Sequence, residues 1–275
     1  MLEKLTYINH LNELFECGNG SDYLVEQNDL HDFAWEVTSK NNRVSALRRG
    51  VTTKTLTILI VCKDKEEGYA KRNELFEFCE KDVLALQHGK IVIGDYYLKC
   101  FITGSKKEAY YYSKRYMKVT MTVTTDFPNW VKENAFSFNY GSGGSAGKDL
   151  DFNRDFPSDY TSNLLGKTIN NTGLSGSNFL LSISGPCINP VVTIAGHEYH
   201  VEVSVQRGEL LEINSIEKTV ILTKADGTKQ NCFNLRDRDS YIFEKIPEGT
   251  SAVSSSAHFR FDLTVFDERS EPKWI

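Results

Sequence analysis

Several stretches of this sequence bring together residue types that do chemistry, and each lacks something the chemistry needs. Residues 141–149, GSGGSAGKD, set a lysine behind glycines, as in loops that cradle nucleotide phosphates. That pattern needs Gly five residues before Gly147, where Ser142 stands, and a metal-binding hydroxyl after Lys148, where Asp149 stands. The composition fits a flexible linker instead. Asp149, Asp151, Asn153 and Asp155 alternate like the first ligands of a calcium loop. Arg154 replaces the glycine of its sharp turn and brings positive charge, and Tyr160 replaces the bidentate glutamate. An exposed acidic connector is expected there. His197 and His200 fall three apart in a predicted turn and strand, where their side chains point to opposite faces, so shared metal ligation is not expected. There is no G-x-S-x-G elbow and no His–Cys pairing, and 37 carboxylates mark no obvious acid–base pair. The sequence therefore assigns no catalytic, cofactor-binding or metal-binding residue, and no cofactor.

Recognition surfaces are better represented. Tyr110, Tyr111, Tyr112 and Tyr116 follow the basic pair Lys106-Lys107. Such a cluster can stack on bases or sugars, fill the core of a subunit interface, or simply build a strand. The interface reading comes first, the plain strand second. Arg43, Arg48, Arg49 and Lys54 form a local basic cluster, read as a solvated face. A net charge of −5 argues against a general nucleic-acid binder. Cys17, Cys62, Cys79, Cys100, Cys187 and Cys232 match no zinc spacing and are expected to be buried free thiols.

The elements that must position these residues are mostly strands. A chain of 275 residues with 40% apolar and 12% aromatic content supports two cored domains. Residues 5–35 look irregular, with short strands at best, and residues 5–50 fit either an extended arm over a neighbour or a local β layer. Residues 54–63 form a strand with Leu56, Ile58, Ile60 and Cys62 on one face. The period then turns helical over 65–86, with Tyr69, Arg72, Phe76, Cys79 and Val83 at helical spacing on one side. Asp64 is the expected N-cap and Glu67 its capping-box partner. Lys90–Ile93 and Tyr96–Thr103 make a hairpin about Gly94-Asp95, and Tyr110–Thr124 is a strand stopped by Asp126-Phe127-Pro128. Beyond the linker, strands are expected around Phe179–Ile183, Val201–Val205, Leu211–Ile213, Val220–Leu222, residues 228–233 behind the Asp226-Gly227 turn, Tyr241–Ile246, and the alternating run Ala257–Phe266. SAVSSSA at 251–257 reads as a loop. The expected class is mainly β: a β-rich α+β domain over 1–140 with one main helix, a Gly/Ser linker over 141–150, and an antiparallel β-sandwich over 151–275. No apolar run is long enough to span a membrane, and residues 1–16 lack the apolar core of a signal peptide, so a reducing cytoplasm is the default compartment.

Four of these features, in this order, resemble the distal tail protein (Dit) family of long-tailed bacteriophages, the siphophage tail component or baseplate hub. They are the β-helix-β-hairpin order of 54–124, the strand Met117–Phe127 ending at Pro128, the linker running into LDFNRDFPSDY at 150–160, and the closing FRFDLTVFDERSEPKW. In the third, Phe152 and Phe156 stand where the family commonly has tyrosines. The resemblance implies a homo-hexameric ring built by the first domain and a galectin-like sandwich in the second. It implies an adaptor, not an enzyme, that joins the tail tube protein to tail-tip, receptor-binding or baseplate proteins. It also implies assembly in the bacterial host cytoplasm, residence in the virion, no specific nucleic acid and no membrane insertion. Some members carry an inserted carbohydrate-binding module, and none is expected here. A galectin-like fold does not bring sugar binding with it: Trp35, Trp130 and Trp274 all lie outside the body of the second domain, and His197-Glu198-Tyr199-His200 does not match the galectin polar run. The second domain is therefore expected to dock other proteins. The alternative is a stand-alone carbohydrate-binding or adhesin-like sandwich; a wall hydrolase comes third.

Overall fold

The computed structural model describes residues 4–111, 115–139 and 167–273. The linker at 141–150, the Asp149–Asp155 series, Phe152, Phe156, Tyr112 and Trp274 lie outside the described residues. The chain divides into two compact units, Met1–Lys132 with Glu268–Ile275, and Glu133–Asp267. It is mainly β, with large antiparallel sheets.

In the first unit the strands are β1 (Leu5–Ile8), β2 (Leu14–Cys17), β3 (Tyr23–Asn28), β4 (Glu36–Lys40), β5 (Arg43–Arg48) and β6 (Thr52–Val61). Helix α1 (Lys65–Ala85) follows, then β7 (Gly89–Ile93), β8 (Tyr96–Tyr111), β9 (Tyr116–Thr125) and β10 (Trp130–Phe138), which runs on past Lys132. Strand β8 is long enough to serve two ladders. Its first part pairs with β7 from Tyr96 to Cys100, and its remainder pairs with β9 from Phe101 to Tyr111. Strand β6 lies between β3 and β9. Leu56, Ile58, Ile60, Val119, Met121 and Val123 point from β6 and β9 into one core with Leu75 and Cys79 of α1. The threonines that alternate with them, among them Thr55, Thr122 and Thr124, face the other way, as period-two patterning demands.

The expected helix is present, but a different face of it is buried. Gly68, Leu75, Cys79 and Asp82 are its buried residues, while Tyr69 and Phe76 are exposed. The helix carries apolar residues on more than one side, so its periodicity did not single out the inward face. Asp64 caps it, accepting a bond from the Glu67 amide at 2.8 Å. Glu67 reaches one residue further back than a standard capping box, accepting from the Lys63 amide at 2.6 Å.

Tyr110–Thr124 is not one strand. Tyr110 and Tyr111 end β8 and pair with Met117 and Tyr116 of β9, so the chain reverses between them. Residues 5–28 form three short strands, two of them paired with each other.

In the second unit the strands are β11 (Lys167–Asn171), β12 (Asn178–Ser184), β13 (Cys187–Ile188), β14 (Val191–Ile194), β15 (His197–His200), β16 (Ser204–Val205), β17 (Leu210–Asn214), β18 (Thr219–Thr223) and β19 (Lys229–Asn231). A short 3₁₀ turn (Phe233–Leu235) precedes β20 (Gly249–Ser255) and β21 (Arg260–Arg269). One sheet runs β19-β18-β17-β12-β21, the other β11-β20-β14-β15, and they close on one core that includes Phe179, Leu181, Phe261 and Leu263. Three expectations fail here. Tyr241–Ile246 forms no strand: its contribution is an isolated bridge from Ile246 to Ser177. The Val201–Val205 run breaks after His200, because the Val203 amide bonds back to the Val201 carbonyl in a turn. Residues 251–255 are strand, and only 256 and 257 of the expected loop lie outside it. Ser251 and Val253 are buried in β20, and small serines hid that alternation.

Candidate assembly surface

Strands β4 and β5 form a hairpin that pairs with no other strand among the described residues. Asn41 and Asn42 close it with φ of 52° and 57°. Two consecutive left-handed residues make the turn whose twist matches a hairpin, and asparagine tolerates that conformation best after glycine. The register sets Val37 opposite Leu47 and Ser39 opposite Val44, with a bulge between Thr38 and Ser39. Val37, Val44 and Leu47 therefore share one face, and they are 60%, 62% and 54% exposed. Glu36 and Arg48 face each other on the opposite side. An isolated two-stranded hairpin is marginal in water, and a stripe of three exposed aliphatics on one is the kind of patch that interaction partners cover.

The base of the hairpin is fixed. Arg49 lies 4.5 Å from the centre of the Trp35 ring and donates to the Pro128 carbonyl at 2.7 Å and to Asn129. Lys54 is buried in β6, donating to the carbonyls of Asp29 at 3.1 Å and of Asp32. Desolvation lowers the pKa of both cations. The four residues read as one basic cluster thus part company: Arg43 and Arg48 ride the hairpin, while Arg49 and Lys54 are structural ties. Trp130, at the start of β10, is buried and donates its indole N–H to the Leu30 carbonyl at 3.3 Å.

The remaining candidate residues resolve into local structure. Tyr116 is half-buried on β9, and Lys118 pairs with Glu26 at 3.0 Å. His197 Nε2 lies 2.9 Å from the Tyr241 carbonyl, which can only accept, so that nitrogen carries the proton. It is therefore no base for Ser240, whose hydroxyl donates to the Glu198 carbonyl at 2.7 Å. His200 faces a different partner, Asp237, at 3.9 Å. Five of the six cysteines are buried, and all six are free thiols. Burial pushes the Cys17 and Cys79 thiols up to about 12 and the half-buried Cys187 up to about 11.

Sequence reading missed one buried cluster. Asp82, fully buried on α1, accepts from the Tyr7 hydroxyl at 2.5 Å and from the His10 amide at 2.8 Å, with His10 Nδ1 at 2.6 Å. An aspartate beside a histidine suggests a catalytic relay, but here the carboxylate is sealed from solvent and serves as a tie between α1 and the β1–β2 turn. The signal was an acidic residue on the inward side of the helix, visible only once that side was known. No helix among the described residues is long and apolar enough to cross a membrane.

This mainly antiparallel β fold of two cored units is shared with solved phage hub and baseplate chains. Over 96% of this chain and 99% of the other, it matches the crystal structure of the SPP1 Dit protein (gp 19.1), a hub of the adsorption apparatus in phages infecting Gram-positive bacteria, with a TM-score of 0.60 at 8% identity. A chain of the phage P2 baseplate in its activated conformation with Ca matches over 99% of this chain and 100% of that one, with a TM-score of 0.61 at 12% identity. The P2 baseplate activated with Sr gives 0.59 at 12% identity. No family model and no curated protein matches the sequence.

Proposed function

We propose that this chain is a structural adaptor at the distal end of a phage or prophage tail. In this reading the first domain, residues 1–140, forms a homo-hexameric ring. The second, residues 151–275, docks tail-tip, receptor-binding or baseplate proteins, and the ring seats them on the tail tube protein. The protein is made in the bacterial host cytoplasm, resides in the virion and performs no catalysis. The observation that carries the reading is the end-to-end fold match to a hub protein and to a baseplate chain, covering both units at 96–99% of the chain. The free hairpin supports it independently. A ring above twofold symmetry needs a heterologous contact, in which a projecting element on one copy meets a different patch on the next.

The test is solution mass by light scattering behind a sizing column, with negative-stain imaging of the peak. A species of about 190 kDa, six times 31.2 kDa, with a central hole is expected. A chain that stays monomeric alone and in the presence of its tail tube protein would overturn the ring.

A further inference from the structure

A heterologous ring contact has two sides, and the structure supplies a candidate for the second. Beyond Cys100, β8 has β9 along one edge and no strand along the other among the described residues. An open edge of this kind accepts an added strand through main-chain hydrogen bonds. Beside Thr103, Gly104 and Ser105 a groove of about 250 Å³ opens between β8 and α1. Leu75, Cys79, Ile102 and Met121 line it with apolar atoms, and Phe76, 51% exposed, stands among its lining residues. Arg72 of α1 donates to the Ser105 hydroxyl at 3.0 Å.

The hairpin fits this groove in three ways. Strands β4 and β5 each have an edge that is unpaired among the described residues. Added to β8, the hairpin would continue the sheet that α1 covers, and its Val37-Val44-Leu47 face can then meet Phe76. The charges at the groove can be matched: its lining carries one acid, Glu80, and one base, Arg72, and the hairpin offers Lys40, Arg43 and Arg48 to the first and Glu36 to the second.

We infer that the β4–β5 hairpin of one copy docks on the groove between α1 and β8 of the next copy, extending its sheet at the open β8 edge. This rests on the ring reading above and names its contact.

The test uses full-length chains in a Cys187→Ser background, which removes the thiol that is not buried. Val44→Cys and Phe76→Cys chains are made separately, mixed, and treated with a short bis-maleimide. A dimer joining one of each is expected, at least tenfold above a mixture of Val44→Cys with Glu217→Cys, whose site is exposed on the second unit. Phe76→Asp and Leu47→Asp should each dissolve the ring. If Leu47→Asp dissolves it while Phe76→Asp does not, and no cross-link forms, the groove assignment fails and the ring stands. If wild-type chain forms no ring and no cross-link, either alone or with its tail tube protein, both fail.

Discussion

Tyr7 donates its hydroxyl to Asp82 at 2.5 Å, across 75 residues of sequence. The bond ties β1 to the last turn of α1, and His10 completes the tie through its amide and its ring. Burial, aided by the thiol of Cys100 and by Asp82 itself, pushes the Tyr7 hydroxyl far above the ordinary phenol range, so it stays a donor at any working pH. Asp82→Ala leaves three groups unpaired in the interior. It should destabilise the chain by about 3 kcal/mol in urea unfolding, against about 1.5 kcal/mol for Tyr7→Phe. Equal losses for the two variants would show that His10 contributes nothing.

The same cluster explains Gly89. A Cβ there would sit 2.3 Å from Asp82 Oδ2 and 2.4 Å from the Tyr7 hydroxyl oxygen. Gly89→Ala must push the pair apart, and a loss of about 2 kcal/mol or more is expected. In a Tyr7→Phe background the penalty should shrink, since one of the two crowding oxygens is gone. An unchanged penalty would place the clash on Asp82 Oδ2 and on the ring carbon Cζ at 2.6 Å, which phenylalanine keeps.

Leu47→Asp probes the hairpin. The side chain is exposed, so the isolated chain should keep its unfolding midpoint within about 0.5 kcal/mol of wild type. Its assembly state should fall from ring to monomer on a sizing column. A large stability loss would mean the stripe packs within its own chain.

Alkali should unfold this protein sooner than its composition suggests. Cys17 and Cys79 sit near 12 when folded, against an ordinary 9.0. Below pH 9 both states hold these protons and the thiols add no pH dependence. Between about 9 and 12 the unfolded chain releases them first, so stability falls by up to ~1.4 kcal/mol per pH unit for each thiol. Urea midpoints measured at about pH 8 and about pH 10.5 should show the decline, and Cys79→Ala should flatten its slope.

Asp64→Ala removes the N-cap of α1. A loss of about 1 kcal/mol is expected, read by thermal unfolding followed in the helical circular dichroism band. Asp64→Asn should retain most of the cap. If Asn fares no better than Ala, the charge matters and the hydrogen bond to the Glu67 amide does not.

What the sequence by itself determined about this protein was local. Asp64 as cap, the helix that follows, the Gly94-Asp95 turn, and the inward face of β6, β12 and β21 all depend on neighbours within one turn or two residues, where dihedral preference and period speak directly. The mainly β class came from the same signals added together. Asn41-Asn42 was an equally local signal for the hairpin and could have been read. Tertiary structure alone decided the rest. Which side of α1 is buried depends on β6 and β8, not on the helix. Ser251 goes inward on β20 because its register sets it opposite the core residue Ile169 of β11. Asp82 is stable in the interior only because Tyr7 and His10 arrive from the other end of the unit. Whether Val37, Val44 and Leu47 are core or surface is a matter of what packs against them. Within one chain nothing among the described strands pairs with that hairpin. Burial is a relation between distant segments, and no window of sequence contains both partners.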